Sequence, residues 1–86
     1  METTPKYSPK AIRTLARMQP KIADNIRSRL RAIAIDPKAQ HANVKRLKGS
    51  DGYRLRVGDW RAIYFIENGQ MYVSTIGPRG SVYGDD

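Results

Sequence analysis

Tyr53-Arg54-Leu55-Arg56-Val57-Gly58-Asp59-Trp60-Arg61, followed by Ala62-Ile63-Tyr64-Phe65-Ile66, reads as two strands joined by a tight turn. Tyr53, Leu55 and Val57 alternate with Arg54 and Arg56, the period of a strand with one buried face. Gly58-Asp59 supplies a two-residue turn, and the returning strand begins at Trp60. Closing that turn pairs Val57 with Trp60, Arg56 with Arg61 and Arg54 with Ile63. The pairing puts the Arg54, Arg56 and Arg61 guanidiniums on one face. Like charges opposite each other destabilise a sheet, so the pattern calls for a compensating anion. Phosphate suits the planar, multi-donor fork of arginine.

Working outward, Asn68-Gly69 predicts a type I′ hairpin turn between strand 60–67 and a further strand at 70–76. Upstream, Val44-Lys45-Arg46-Leu47 reads as a short strand or a turn, and Gly49 and Gly52 bound a connector. Lys6-Tyr7 ends a short first strand. Ser8-Pro9 starts a helix, with Ser8 capping and Pro9 in the first helical position. Ile12, Leu15 and Ala16, extended by Met18, form its expected apolar stripe. Pro20 starts a second helix in which Ile22, Ile26, Leu30 and Ile33 share a face. Asp36-Pro37 ends it.

Two helices with one apolar stripe each must bury those stripes, and the sheet is the available partner. The expected fold is α+β in the order β-α-α-β-β-β, an antiparallel sheet with a helical hairpin on one face. Tyr53, Leu55, Val57, Trp60, Ala62, Tyr64 and Ile66 are expected to face the helices. Arg54, Arg56, Arg61, Ile63, Phe65, Tyr72 and Ser74 are expected on the other face. Cations interleaved with aromatics there fit a nucleic-acid surface.

The chain has 86 residues, the size of one domain, so residues 1–86 are read as a single unit. Sixteen Lys/Arg against eight Asp/Glu give a net charge of +8, which favours a polyanion or an acidic protein as partner. The absence of cysteine excludes disulfides and sulfur-ligated metal. No apolar run approaches the roughly 20 residues of a spanning helix, and the start of the chain lacks a signal core. The expectation is a soluble cytoplasmic protein that does not engage a membrane. His41 stands in a polar loop, and no grouping of His, Asp and Glu has metal-ligand spacing. No metal or cofactor is expected.

With these residues in order, the chain resembles the RelE/ParE superfamily of toxins from type II toxin–antitoxin pairs. The resemblance rests on the helical hairpin, Val44-Lys45-Arg46-Leu47-Lys48-Gly49, the segment Gly52 to Tyr64, and the closing Ile76-Gly77-Pro78-Arg79…Val82-Tyr83. It implies the RelE/ParE-like fold. In the RelE-like branch it implies a ribosome-dependent, metal-independent endoribonuclease that cleaves mRNA and inhibits translation. Matching positions then imply Arg61, Arg79 and Tyr83 as catalytic residues. Arg54, Arg56, Lys45, Arg46 and Lys48 would hold RNA phosphates. The branch often carries lysine where this chain has Arg54 and Arg56, and histidine or lysine at Pro78, which leaves the proton-transfer groups open. The alternatives are a ParE-like poison of DNA gyrase without nuclease activity, and a catalytically weak RNA-binding relative. Implied partners are the ribosome with its mRNA, a cognate acidic antitoxin, and promoter DNA reached only through the antitoxin complex. In a simple continuation of the last strand Arg79 faces away from Arg61, so convergence of the two requires a turn at Gly77-Pro78.

Overall fold

A computed structural model describes residues 4–80. Lys6–Tyr7 form β1, Pro9–Arg17 α1 and Pro20–Ile35 α2. Val44–Arg46 form β2, Tyr53–Val57 β3, Trp60–Glu67 β4 and Gln70–Pro78 β5. The five strands lie in the order β1-β5-β4-β3-β2. All neighbours are antiparallel except β1, which pairs in parallel with β5 through Lys6–Tyr72 and Tyr7–Val73. The expected order and helical hairpin hold, with Val44–Arg46 resolved as an edge strand. The parallel pair follows from the connection: the whole hairpin α1–α2 lies between β1 and the rest of the sheet.

Each helix starts where its proline starts it. The Ser8 hydroxyl accepts the Ala11 N–H at 3.0 Å, and Pro9 occupies the first turn. Pro20 opens α2, and Asp36 closes it with its N–H donated to the Ile33 carbonyl. In α2 the buried side is Ala23, Ile26, Leu30, Ile33 and Ala34, as the stripe requires. In α1 it is Ala11 and Leu15, with Met18 half-buried, while Ile12 is 55% exposed and Ala16 is exposed. The expected stripe is thus rotated. In nine residues apolar groups occur on more than one face, so the sequence pattern does not fix the rotation, and Ser8 ties the start of the helix to β5.

Both helices pack on one sheet face, against Leu55, Ala62, Tyr64, Met71, Val73 and Ile76. Tyr53, Val57, Trp60 and Ile66 flank that core on the same side. Leu30, Leu55, Met71 and Val73 are fully buried, each stabilising the fold by about 1.5–3 kcal/mol. The opposite face carries a second, smaller cluster of Leu47, Ile63 and Phe65. Phe65 lies over Gly52, where a Cβ would come within 2.9 Å of the ring. Ile63, expected on an open face, is therefore buried under Leu47 and Phe65.

Tyr64 is 3% exposed and stacks on Tyr53, with ring centroids 5.3 Å apart. Burial, with a smaller contribution from Tyr53, pushes its phenol up to about 12. The neutral phenol is favoured in the folded state, so this stability is complete below about pH 10 and is lost as pH rises towards 12. Burial raises Tyr7 as well, against the opposing fields of Arg27 and Arg31. Urea unfolding at about pH 9.5 and about pH 12 is expected to show a loss, of which Tyr64→Phe removes at most about 2–3 kcal/mol. An identical alkaline loss in the Phe variant would exclude Tyr64 as its source.

Candidate phosphate-binding face

The β3–β4 hairpin has the register that its sequence demands. Val57 pairs with Trp60, Arg56 with Arg61 and Arg54 with Ile63. Gly58 has φ 59°, as a primed two-residue turn requires at its first position. β2 adds Lys45 opposite Arg54, and β5 adds Gly77 opposite Arg61 and Thr75 opposite Ile63. Two cross-strand rows result, Lys45–Arg54–Ile63–Thr75 and Arg56–Arg61–Gly77. Directly opposed residues share a face, so four cations gather on the side away from the helices.

These side chains, with Asn43 and Val44, line a depression of about 430 Å³. Arg56 and Lys45 are exposed and Arg54 half-buried. Arg61 is only 5% exposed, whereas the alternation alone predicts an open position. The difference comes from its central strand, flanked on both sides, and from the fold of its side chain back over the turn. Arg61 Nη1 donates to the Gly58 and Trp60 carbonyls, each at 3.4 Å. Arg56 is held from the adjacent loop: its N–H donates to the Asn43 carbonyl at 2.9 Å, and Nη2 to Asn43 Oδ1 at 3.5 Å. Asn43 itself sits at φ 63°, a left-handed geometry that asparagine tolerates better than most residues. Nothing in sequence spacing alone singles out Asn43.

The remaining cations distribute unevenly. Arg46 pairs with Tyr53 in the register and so lies on the helix side of the sheet, where Nη2 reaches Asp51 at 3.6 Å. It is not part of the depression. Lys48 is an exposed residue of the loop after β2 and does not line it either. Tyr83 lies outside the described residues. His41 Nε2 donates to the Asp36 carbonyl at 2.7 Å, closing the loop after α2, away from the arginines. Among the described residues no group of three His, Cys, Asp or Glu side chains could hold a metal ion.

The strand that leads to Arg79 changes register on the way. The β4–β5 register shifts between Ile63 and Tyr64: Tyr64 pairs with Val73, but Ile63 pairs with Thr75. Ser74 is the extra residue of a β-bulge. Beyond it the odd-numbered residues of β5, Thr75 and Gly77, take the arginine side. Pairing continues past Pro78 through the Arg79 N–H, which donates to the Asp59 carbonyl at 2.7 Å. Continued past Pro78, the same alternation would carry Arg79, itself a turn residue that does not line the depression, to the side of Arg61. The bulge thus sets the phase of the end of β5, where a turn at Gly77-Pro78 was expected to redirect it.

A family model for the ParE toxin of type II toxin–antitoxin systems matches residues 6–83. The chain belongs to this family of toxins. Among curated proteins none matches. Solved structures share the fold of the toxin at low sequence identity. The archaeal RelE–RelB complex from Pyrococcus horikoshii contains a chain 22% identical, with TM-score 0.79, covering 95% of this chain and 100% of that one. The intact E. coli RelBE toxin–antitoxin complex matches at 16% identity and TM-score 0.74, over 88% of this toxin and 95% of that chain. The YoeB–YefM toxin–antitoxin complex from Staphylococcus aureus matches at 16% identity and TM-score 0.72, over 87% and 94%. The β-α-α-β order and the antiparallel hairpins of the toxin are thus those of the RelE/ParE fold.

Proposed function

We propose that the toxin is a metal-independent endoribonuclease that cleaves mRNA on the ribosome and thereby stops translation. The observation that carries this reading is the depression formed by Lys45, Arg54, Arg56 and Arg61 across three strands. Cleavage without metal lets a ribose 2′-OH attack the adjacent phosphorus. It needs positive charge at the phosphoryl oxygens, a base for the hydroxyl and an acid for the departing 5′-oxygen. Arg61 and Arg79 supply the charge, and Arg54, Arg56 and Lys45 hold flanking phosphates. Arginine stays protonated, so Arg54, Arg56 and Arg61 hold charge rather than move a proton. Tyr83, a few residues beyond Arg79 in sequence, is the proposed proton-transfer partner. Arg46 and Lys48 serve only as outer electrostatic contacts.

Primer extension on a translated message, with and without the toxin, tests the reading. Discrete cuts within the translated region are expected only when the toxin is present, and an uncut message would overturn the reading. Tyr83→Phe is expected to slow the cut by roughly 10²-fold, the usual contribution of a positioned acid or base. An unchanged rate and pH profile in that variant would leave Tyr83 a packing role only.

The match to the ParE toxin family favours a second reading, a poison of DNA gyrase without nuclease activity. It predicts an intact message and accumulation of cleaved DNA–gyrase complexes. In either case the proposed regulator is a cognate antitoxin, expected to be acidic from the charge of this chain; the E. coli RelBE and S. aureus YoeB–YefM toxins whose fold it shares were solved as toxin–antitoxin complexes. Promoter DNA would be bound through that complex. No helix among the described residues is long and apolar enough to cross a membrane.

A further inference from the structure

We propose that Ser8 is a positioning residue for Arg79, acting through the bulge at Ser74. The proposal rests on the nuclease reading for its activity arm alone.

Without the bulge, the ladder running from Tyr64–Val73 would pair Ile63 with Ser74, Ala62 with Thr75 and Arg61 with Ile76. Ile76 would then stand in the cationic row, and Arg79 would turn to the helix side. The actual register buries Ile76 at 2% exposure and places Gly77 opposite Arg61. One inserted residue therefore decides which face the end of β5 presents.

Ser8 holds that insertion in place. Its N–H donates to the Val73 carbonyl at 2.9 Å, and its hydroxyl donates to the Ser74 carbonyl at 2.7 Å. Consecutive carbonyls of a regular strand point to opposite edges, and here Ser8 reaches both, one with its N–H and the next with its hydroxyl, on the two sides of the bulged residue. The same hydroxyl accepts the Ala11 N–H that starts α1. Ser8 is 8% exposed, and a hydroxyl gives and accepts a hydrogen bond from a single atom. From the other side, Ser74 Oγ donates to the Ile63 carbonyl at 3.4 Å, across the register shift. The start of α1 and the phase of β5 are thereby coupled through one side chain.

Three variants separate this role from simple helix capping. Ser8→Ala loses both bonds of the hydroxyl, and Ser8→Thr keeps the hydroxyl. Deletion of Ser74 removes the extra residue while leaving Val73 opposite Tyr64 and Thr75 opposite Ile63, so it keeps Arg79 on its face with no bulge to hold. Single-turnover cleavage of a message on programmed ribosomes is expected to fall roughly 10²-fold in Ser8→Ala, the scale of a small misplacement. Ser8→Thr should cleave like the wild type, and the deletion should restore cleavage to Ser8→Ala. Cross-strand NMR contacts on labelled protein should show Ile63 opposite Thr75 in the wild type and an added Ile63–Ser74 population in Ser8→Ala. Failure of the deletion to improve Ser8→Ala overturns the proposal, since a lost cap alone cannot be repaired in β5. An unshifted register in Ser8→Ala overturns it as well, and that measurement stands even if the wild-type toxin cuts no RNA.

Discussion

Arg61→Ala is expected to slow cleavage of a ribosome-bound message by roughly 10²–10³-fold, the usual effect of removing one preorganised donor from a developing anion. Its position explains the size. Arg61 is the most buried cation of the depression, paired with Arg56 on one side and facing Gly77 on the other. A guanidinium kept from bulk water acts at a lower effective dielectric than the exposed Arg56 and Lys45. The same burial means that the variant also loses bonds to the Gly58 and Trp60 carbonyls at the β3–β4 turn. Some loss of melting temperature is therefore expected, unlike for a side chain on an open face. Arg61→Lys controls for it: the charge stays while the fork goes, so its cleavage should fall between wild type and alanine. Equal single-turnover rates in wild type and Arg61→Ala, measured where both are folded, would remove Arg61 from the chemistry. Arg79→Ala should follow Arg61→Ala in direction if the strand phase set by the bulge at Ser74 holds through Arg79.

The parts of this fold that were legible in the sequence are those in which local and long-range demands agree. Val57-Gly58-Asp59-Trp60 fixes both a turn and a register, and the register alone puts Arg54, Arg56 and Arg61 on one face. Asn68 and Gly69 both adopt positive φ, 53° and 78°, as a type I′ turn needs. Features set by tertiary contact were not legible. The start of α1 is tied to β5 by the Ser8–Ser74 bond, between residues 66 apart in sequence, and the face that α1 buries is decided by such packing. Arg46 follows Lys45 in the chain but takes the opposite face, because alternation in β2 divides a basic run that composition treats as one patch. One signal was present and unread. The apolar residues of β5 are Met71, Val73 and Ile76, and a step of three within a strand marks a bulge. That step carries the phase of β5 that would bring Arg79 to the side of Arg61.

Binding of the cognate antitoxin should be tight, strongly salt-dependent and sufficient to abolish toxicity on co-expression. The charge sets the sign of the partner: +8 on 86 residues, with Lys45, Arg54, Arg56 and Arg61 concentrated on one face. An acidic chain is steered to such a surface and pairs its cations there. Apolar side chains left outside the core, Ile12 at 55%, Ile35 at 70% and Tyr72 at 45% exposure, offer area that charge alone does not. Ile12 lies on α1, Ile35 ends α2, and Tyr72 stands on the arginine side of the sheet opposite Phe65. No single compact patch joins the three, so a partner that covers them must reach around the domain. A partly disordered antitoxin can wrap in that way, at the cost of ordering its own chain. Large area and well-paired charge are then both required for high affinity. Isothermal titration of the toxin with the product of the neighbouring gene should give nanomolar affinity that weakens as salt is raised. Charge reversal of Arg54 and Arg56 to glutamate should weaken binding at low salt and flatten its salt dependence. Affinity no tighter than about 10 μM at moderate salt, together with undiminished toxicity on co-expression, would exclude that gene product as the antitoxin.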